Sequence, residues 1–429
     1  MVRVDVIGAG LAGSEAAYYL LKHGFEVHLF DARPMYQDGA HETEYFGELV
    51  CSNSLKSKRL DNACGLLKEE MRRLGSIMME ASVPSEVPAG NALSVDRELF
   101  GKFITEKLLS FPNLHFHKEE ITQIPLDVPV ILATGPLTSP ALSEWLTALV
   151  GQKNLSFFDA SAPIVKKDSI DFSKAYVKSR YEQEDGGYIN CPMNKAEYFA
   201  FVKELIGAKK ALTHECDTHY FEGCLPVEVI ASRGLETLRH GPLKPFGLET
   251  PEHPKPYAVV QLRQDTKLGD YYNIVGFQTN LTYPEQKRVF SMIPGLDHAE
   301  FLRYGLMHRN SYINAPLVLQ NDLSLKVLPN VFVAGQLSGV EGYVESAAMG
   351  ILAAIHASRR LEGKDFLKVP RETIYGGLVS YILHASPSSF SPMNANWALL
   401  PMAKKENRDA TISASLEAMR AFAERVQND

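Results

Sequence analysis

Val4-Asp5-Val6-Ile7-Gly8-Ala9-Gly10-Leu11-Ala12-Gly13-Ser14-Glu15 opens this 429-residue chain with an apolar strand, a glycine-rich turn and the start of a helix. The three glycines have separate duties. Gly8 turns the chain sharply off the strand, Gly10 lets backbone approach a pyrophosphate, and Gly13 lets the helix pack closely on the sheet. Ala9, Leu11 and Ala12 fill the rest of the turn, so phosphate would meet unpaired N–H groups and the positive end of the helix dipole. The pattern predicts a helix over 14–23 that stops at Gly24. It then predicts a second strand, Phe25-Glu26-Val27-His28-Leu29-Phe30, which delivers Asp31 to a ribose hydroxyl. Strand, helix and acid in this order read as a dinucleotide-binding unit of an α/β fold.

Two further segments resemble those of two-dinucleotide-fold flavoproteins. Val128-Pro129-Val130-Ile131-Leu132-Ala133-Thr134-Gly135 is a buried-type strand ending in Ala-Thr-Gly, which places Thr134 and Gly135 beside a cofactor. Asn330-Val331-Phe332-Val333-Ala334-Gly335-Gln336 is a strand that runs through a glycine-rich loop into Glu345-Ser346-Ala347-Ala348-Met349-Gly350-Ile351. A helix starting near Gly342 to Val344, with Glu345 in its first turn, would aim its positive end at the pyrophosphate or the flavin ring. Either segment alone is equally readable as plain buried sheet. Three in this order favour FAD over NAD. The expected fold is therefore an α/β, Rossmann-like FAD-binding domain formed by residues 1–159 and 326–429, interrupted by an α+β insertion over 160–325.

Within that insertion, Tyr257–Leu262 and Tyr272–Phe277 read as strands joined across Gln264 to Gly269. Helices are expected after Thr282-Tyr283-Pro284-Glu285 and Asp297-His298-Ala299-Glu300, each a capping residue with an acid three positions later. A second GxGxxG is absent, so NAD(P)H would visit as a substrate rather than reside.

Composition restricts the function classes. Hydrophobic residues at 45% and charged residues at 22% are ordinary for a globular enzyme, and no apolar run is long enough to span a bilayer. The N-terminus is itself the first strand, so the reading expects a cytoplasmic protein without a signal peptide. A net charge of −7 argues against a surface coated in positive charge, which leaves RNA contact to a local basic face.

Five cysteines without framework spacing suggest thiols rather than bridges, and the absence of zinc-type Cys/His spacing leads to the expectation of no metal. Cys51 lies in a polar loop, Glu48-Leu49-Val50-Cys51-Ser52-Asn53-Ser54-Leu55-Lys56-Ser57-Lys58-Arg59, whose three cations would lower a thiol pKa. Cys224 lies in Tyr220-Phe221-Glu222-Gly223-Cys224-Leu225-Pro226-Val227-Glu228. Taken bare, each is also readable as an unreactive thiol. Cys64 has helical spacing and reads as packing, while Cys191 and Cys216 are open to either reading.

These strings, together with Gly276-Phe277-Gln278-Thr279, Glu285–Val289, Met307-His308-Arg309-Asn310, Gly335–Gly350 and Ser391–Asn396, resemble the folate- and FAD-dependent tRNA (uracil-5-)methyltransferases. The resemblance spans nearly the whole chain. It implies FAD as cofactor, methylenetetrahydrofolate as carbon donor, a reduced nicotinamide as electron source, and 5-methyluridine at position 54 of tRNA as product, with ribosomal RNA as the alternative target. It also implies catalytic roles for Cys224, as the nucleophile on uracil, and for Cys51, as partner of the methylene or as proton-abstracting base. These two roles are exchangeable.

The same resemblance assigns the insertion to RNA and folate. Asn280 stands where a pterin-stacking His is common, which offers an amide instead of an aromatic face, and His308 is the neighbouring folate candidate. For RNA the candidates are Lys56, Lys58 and Arg59 near Cys51, Arg239 and Lys244 after Cys224, and Lys287 with Arg288. Each is equally readable as part of a solvated charged face. The rival reading is a flavoprotein that modifies wobble uridines, against which the chain shows no long helical C-terminal domain after the closing flavin motif and carries the Cys224 string.

Overall fold

Short runs of Val, Ile and Leu without polar alternation suit strands covered on both faces, and the computed structural model places three of them side by side. It describes residues 1–33, 41–151, 155–180, 188–211, 225–305, 307–401 and 405–428. The first sheet has five strands in the order Val331–Val333, Val130–Leu132, Arg3–Ile7, Glu26–Asp31 and Leu114–Lys118. Its pairings are all parallel, with Val6 beside Leu29 on one side and Ile131 on the other. The three segments that read as flavin-related thus meet in one sheet although some 200 residues separate the second from the third.

Two helices, Leu11–Lys22 and Tyr343–Leu361, lie against each other at backbone distance. A Cβ on Gly350 would sit 2.1 Å from the Ala12 carbonyl oxygen, so only glycine permits this approach. The first helix starts at Leu11, earlier than the 14–23 expectation, because Gly10 is its N-cap and its carbonyl accepts the Ser14 N–H. Gly24 follows it with φ +79°, as a helix stop requires.

The second sheet has six strands, ordered Tyr176–Val177, Tyr188–Met193, Ala258–Gln264, Tyr271–Ile274, Ile164–Lys166 and Phe301–Arg303, with antiparallel pairings. The two strands expected on either side of Gln264 to Gly269 are there, with Leu262 opposite Ile274. Hydrophobic burial divides accordingly. One core gathers side chains from Val4 to Leu146 and from Tyr312 to Phe422, and the other gathers side chains between Val165 and Ala299. A two-stranded ribbon, Leu155–Ala160 with Met307–Tyr312, carries the chain out and back between them.

Of the two helices expected near 282 and 297, the first forms as Tyr283–Phe290, with Pro284 in its first turn. The second does not form. The Asp297 carboxylate instead accepts the Gly295 N–H at 3.2 Å and binds Lys174 at 3.0 Å, closing a turn from which the chain enters the strand Phe301–Arg303. An acid three residues after a capping residue is a helix signal only when the intervening backbone is not already held by such a tertiary contact. Met307-His308-Arg309-Asn310 lies in the strand Met307–Tyr312.

Candidate functional site

The parallel strands end at a cavity of about 360 Å³, walled by the Gly8–Ala12 turn, Asp31, Thr134–Gly135, Gly335–Gln336, the helix start at Gly342–Val344, and the loop that holds Cys51. The glycines separate by what surrounds them. Gly8 has φ +104°, and a Cβ there would lie 2.5 Å from the Ala133 oxygen. On Gly13 it would lie 1.7 Å from the Gly8 oxygen. On Gly10, where φ is −71°, it would meet no atom within 4 Å. Two glycines are therefore demanded by the protein's own packing, and the third keeps the helix N-terminus open to the cavity. These residues fit the pyrophosphate of FAD, as anion binding at a helix N-terminus requires.

Asp31 is 8% exposed and already engaged. Its carboxylate accepts the Ala9 N–H at 3.0 Å and two guanidinium bonds from Arg33 at 2.8 and 2.9 Å. Burial opposes the charge, but Arg33 outweighs it and holds the carboxyl below its ordinary range, so it is ionised at neutral pH. Arg33 also reaches Glu48 at 3.2 Å. Neither Arg33 nor Glu48 stood out in the sequence as a site residue, since nothing local marks a loop cation as the partner of a strand-end acid.

Cys51 faces the cavity and is held by Tyr343, the first residue of the closing helix. The Tyr343 hydroxyl accepts N–H bonds from Cys51 at 2.7 Å and Ser52 at 3.1 Å, and donates to the Cys51 sulfur at 2.9 Å. Burial first, and then the neighbouring sulfur, keep this phenol's pKa well above its ordinary value, so it remains a proton donor. Nothing in the sequence marks Tyr343 as a partner of the thiol, although it stands directly after Gly342.

The three cations expected to activate Cys51 are occupied elsewhere. Lys56 binds Glu345 at 2.9 Å, Lys58 binds Glu86 at 3.0 Å, and Arg59 binds Asp61 at 2.8 Å. The cation beside the Cys51 loop is instead Arg97, which donates to the Leu49 carbonyl at 3.0 Å and to Asp265 at 3.2 Å. Burial opposes its charge, but Asp265, then Tyr343 and Cys51, raise its pKa on balance. Adjacency in sequence thus misassigned the cation: Lys56 lines the cavity but is taken by Glu345, and Lys58 and Arg59 are taken by Glu86 and Asp61.

The same loop is tied to the second sheet. Arg263 donates to Asn53 at 3.0 Å and to Ser52 at 2.7 Å, and the Asn53 amide returns a bond to the Gln264 carbonyl at 2.8 Å. Glu345 lies behind the wall, fully buried, where it holds Lys56 and the Ala395 N–H. Gln336 binds Glu341 at 2.6 Å.

Other expected site residues are placed as follows. Asn280 is 3% exposed and its N–H is taken by Glu228 at 2.8 Å, while Gln278, two residues earlier, reaches the cavity wall. His308 contributes backbone to the strand Met307–Tyr312, and its side chain lies outside the described residues. Arg239 lies over the Tyr257 ring at 4.3 Å, Lys244 over Phe246 at 5.7 Å, and Arg288 pairs with Glu285 and Glu204. Lys287 is exposed. Cys224, with Cys216, lies outside the described residues. Cys64 is buried as its spacing predicts, and burial pushes its thiol up to about 11; in Cys191, also buried, the same cause gives about 12.

Comparison with known proteins agrees with this arrangement. The family model described as glucose inhibited division protein A matches residues 3–365. A relative from Desulforudis audaxviator named methylenetetrahydrofolate--tRNA-(uracil-5-)-methyltransferase TrmFO is 56% identical over 401 residues, covering 93% of this chain and 91% of its own. One of the same name from Listeria monocytogenes serotype 4b is 51% identical over 431 residues, 99% of both chains. Among solved structures, Aquifex aeolicus GidA in its form II crystal matches with a TM-score of 0.72 at 17% identity, over 99% of this chain and 73% of that one. That likeness bears on the fold alone.

Proposed function

Since the chain belongs to the glucose inhibited division protein A family, and within it groups with relatives named methylenetetrahydrofolate--tRNA-(uracil-5-)-methyltransferase, we propose that it transfers a one-carbon unit from methylenetetrahydrofolate to carbon 5 of a tRNA uridine, at position 54. Identity of 51% across 99% of both chains carries this reading. FAD would be held by the Gly8–Ala12 turn at its phosphates and by Asp31 at its ribose, with Thr134, Gly135, Gly335, Gln336 and Gly342 along its length. When bound it supplies the one-carbon carrier and the hydride, and a reduced nicotinamide, NADH or NADPH, supplies the electrons as a visiting substrate.

Carbon 5 of uracil is a poor nucleophile until a thiolate adds to carbon 6, which makes the ring an enolate with electron density at carbon 5. Cys224 is the thiol assigned to this addition. After the carbon–carbon bond forms, a base must remove the carbon 5 proton, and elimination of the Cys224 thiolate restores the ring. Cys51 is the assigned base or methylene partner. Tyr343 donates to its sulfur, and so can stabilise a thiolate there and hold it in position. A uridine stacked in folded RNA must also leave its stack to reach these groups. Lys56, at the cavity wall, together with Lys58, Arg59, Arg239, Lys244, Lys287 and Arg288, is the proposed set of RNA contacts.

The test is methylation by purified protein of an unmodified tRNA transcript with methylenetetrahydrofolate and NAD(P)H, followed by nuclease digestion and mass spectrometry. A methyl group on carbon 5 of uridine 54 is the expected result. A carboxymethylaminomethyl-type product at the wobble position, methylation of ribosomal RNA instead, or no product with either, would overturn the reading.

A further inference from the structure

Neighbouring strands of a parallel sheet bring residues far apart in sequence onto one face. In the first sheet, His28 of the strand Glu26–Asp31 is register partner to His115 of the strand Leu114–Lys118, and Glu26 lies two residues before His28 on the same face. The Glu26 Oε1 atom is 3.4 Å from His28 Nε2 and 3.3 Å from His115 Nε2. One ligand atom from each residue lies within 4.8 Å of the others, which among the described residues makes this the one such cluster.

The two separations are long for strong hydrogen bonds and match the spacing of ligands around a metal ion. Charge-assisted N–H···O bonds settle at about 2.7–2.9 Å, and both separations are longer. Ligands at about 2.0–2.2 Å around a tetrahedral zinc ion are separated by about 3.3–3.5 Å, the range in which these two fall. The surroundings also have what a metal-bound imidazole needs. His28 presents Nε2 to Glu26, while its Nδ1 meets His117 Nε2 at 3.0 Å, a partner that fixes the ring and leaves Nε2 available as a ligand. Two imidazoles and one carboxylate are a zinc-type donor set with a fourth position open to water.

We propose that Glu26, His28 and His115 form a binding site for one divalent transition-metal ion of the zinc class, distinct from the FAD cavity. The spacing of these residues hides it, because two ligands come from one strand and the third stands 87 positions after His28. The ion would clip the edge strand Leu114–Lys118 to its neighbour Glu26–Asp31, from whose ends Glu119 and Asp31 border the cavity.

Isothermal titration of the chelator-treated, FAD-loaded protein with Zn²⁺ tests this. One equivalent should bind, and Glu26→Gln, His28→Gln and His115→Gln should each weaken binding at least tenfold while His240→Gln, on a separate helix, leaves it unchanged. Substituting Co²⁺ should produce the visible absorption of a tetrahedral site, lost in His115→Gln. Flavin content checks that each variant has folded, and His115, about half exposed, is the position least able to affect folding. Weak binding of several equivalents, or stoichiometric binding unchanged in all three variants, would overturn the proposal.

Discussion

Gly10 and Gly13 lie in the same turn, yet a methyl group added to each should fail in a different way. At Gly10 the backbone has φ −71° and the added Cβ meets nothing within 4 Å, so alanine adopts the native conformation without strain. Reduced freedom of the unfolded chain favours alanine by about 0.4–1 kcal/mol. Its poorer performance as a helix N-cap costs a similar amount, so the FAD-free protein should change by no more than about 0.5 kcal/mol. At Gly13 the Cβ lands 1.7 Å from the Gly8 oxygen, a backbone atom. Helix and turn must separate, and the loss should reach or exceed the roughly 3 kcal/mol at the upper end of ordinary overpacking. If the pyrophosphate approaches Gly10, the methyl group should weaken FAD about 100-fold, or about 2.7 kcal/mol. Protein that gained about 2.7 kcal/mol from FAD at 100 times its Kd would then gain only about 0.4 kcal/mol at the same concentration. Thermal melts with and without FAD, and flavin fluorescence titrations, read each quantity separately. Wild-type FAD affinity in Gly10→Ala, or FAD-free Gly10→Ala melting as low as Gly13→Ala, would refute the assignment of the turn.

Cys224→Ala should retain FAD and lose the covalent adduct with 5-fluorouridine-containing tRNA on denaturing gels. An adduct lost only in Cys51→Ala would exchange the two roles, and one that survives both substitutions would remove the thiols from the addition step. Tyr343→Phe removes the donor to the Cys51 sulfur, so the pH profile of Cys51 alkylation should move upward; an unchanged profile would show that the phenol does not bear on the thiol. The same change leaves the Cys51 and Ser52 N–H groups without their acceptor, at a cost of about 1–3 kcal/mol in thermal stability. Arg263→Met should lower methylation while leaving FAD content intact, because it removes two of the bonds that tie the Cys51 loop to the second sheet, and unaltered kcat and KM would refute that coupling. Asn280→His decides whether this position meets folate: with the side chain buried, histidine should overpack and destabilise by about 1–3 kcal/mol, whereas a lower half-saturating methylenetetrahydrofolate concentration would show that the ring reaches the pterin.

The first sheet was legible because its information is local. Gly8 and Gly13 occupy positions where the chain's own packing admits no side chain, Gly10 and Asp31 line the cavity at fixed offsets from them, and the strands around Ile131 and Phe332 announce themselves by uninterrupted burial. The helix expected at Asp297 failed for the opposite reason: a capping pattern reports what the segment could do alone, and the tie to Lys174 is made across 123 residues. The surroundings of Cys51 show the same limit. Its loop was recognisable as polar and cationic, but Arg97, Asp265 and Arg263 come from two other elements, and no spacing rule connects them. Tyr343 is the intermediate case, visible beside Gly342 but without a sign of which hydroxyl, among 18 tyrosines, would turn toward a thiol.

The internal pairing of Asp31 bears on how the cofactor is gained and lost. A buried carboxylate left alone would oppose the folded FAD-free state, and the protein would then depend on flavin to fold. Here Arg33 and the Ala9 N–H already neutralise and orient it, and Glu48 holds Arg33 in turn. The cost of the acid is met by the chain itself, and a ribose has only to exchange with contacts that are already of its own kind. FAD stripped from the folded protein should therefore return on simple mixing, without a refolding step, and the chain can emerge from the ribosome and fold before it meets its flavin.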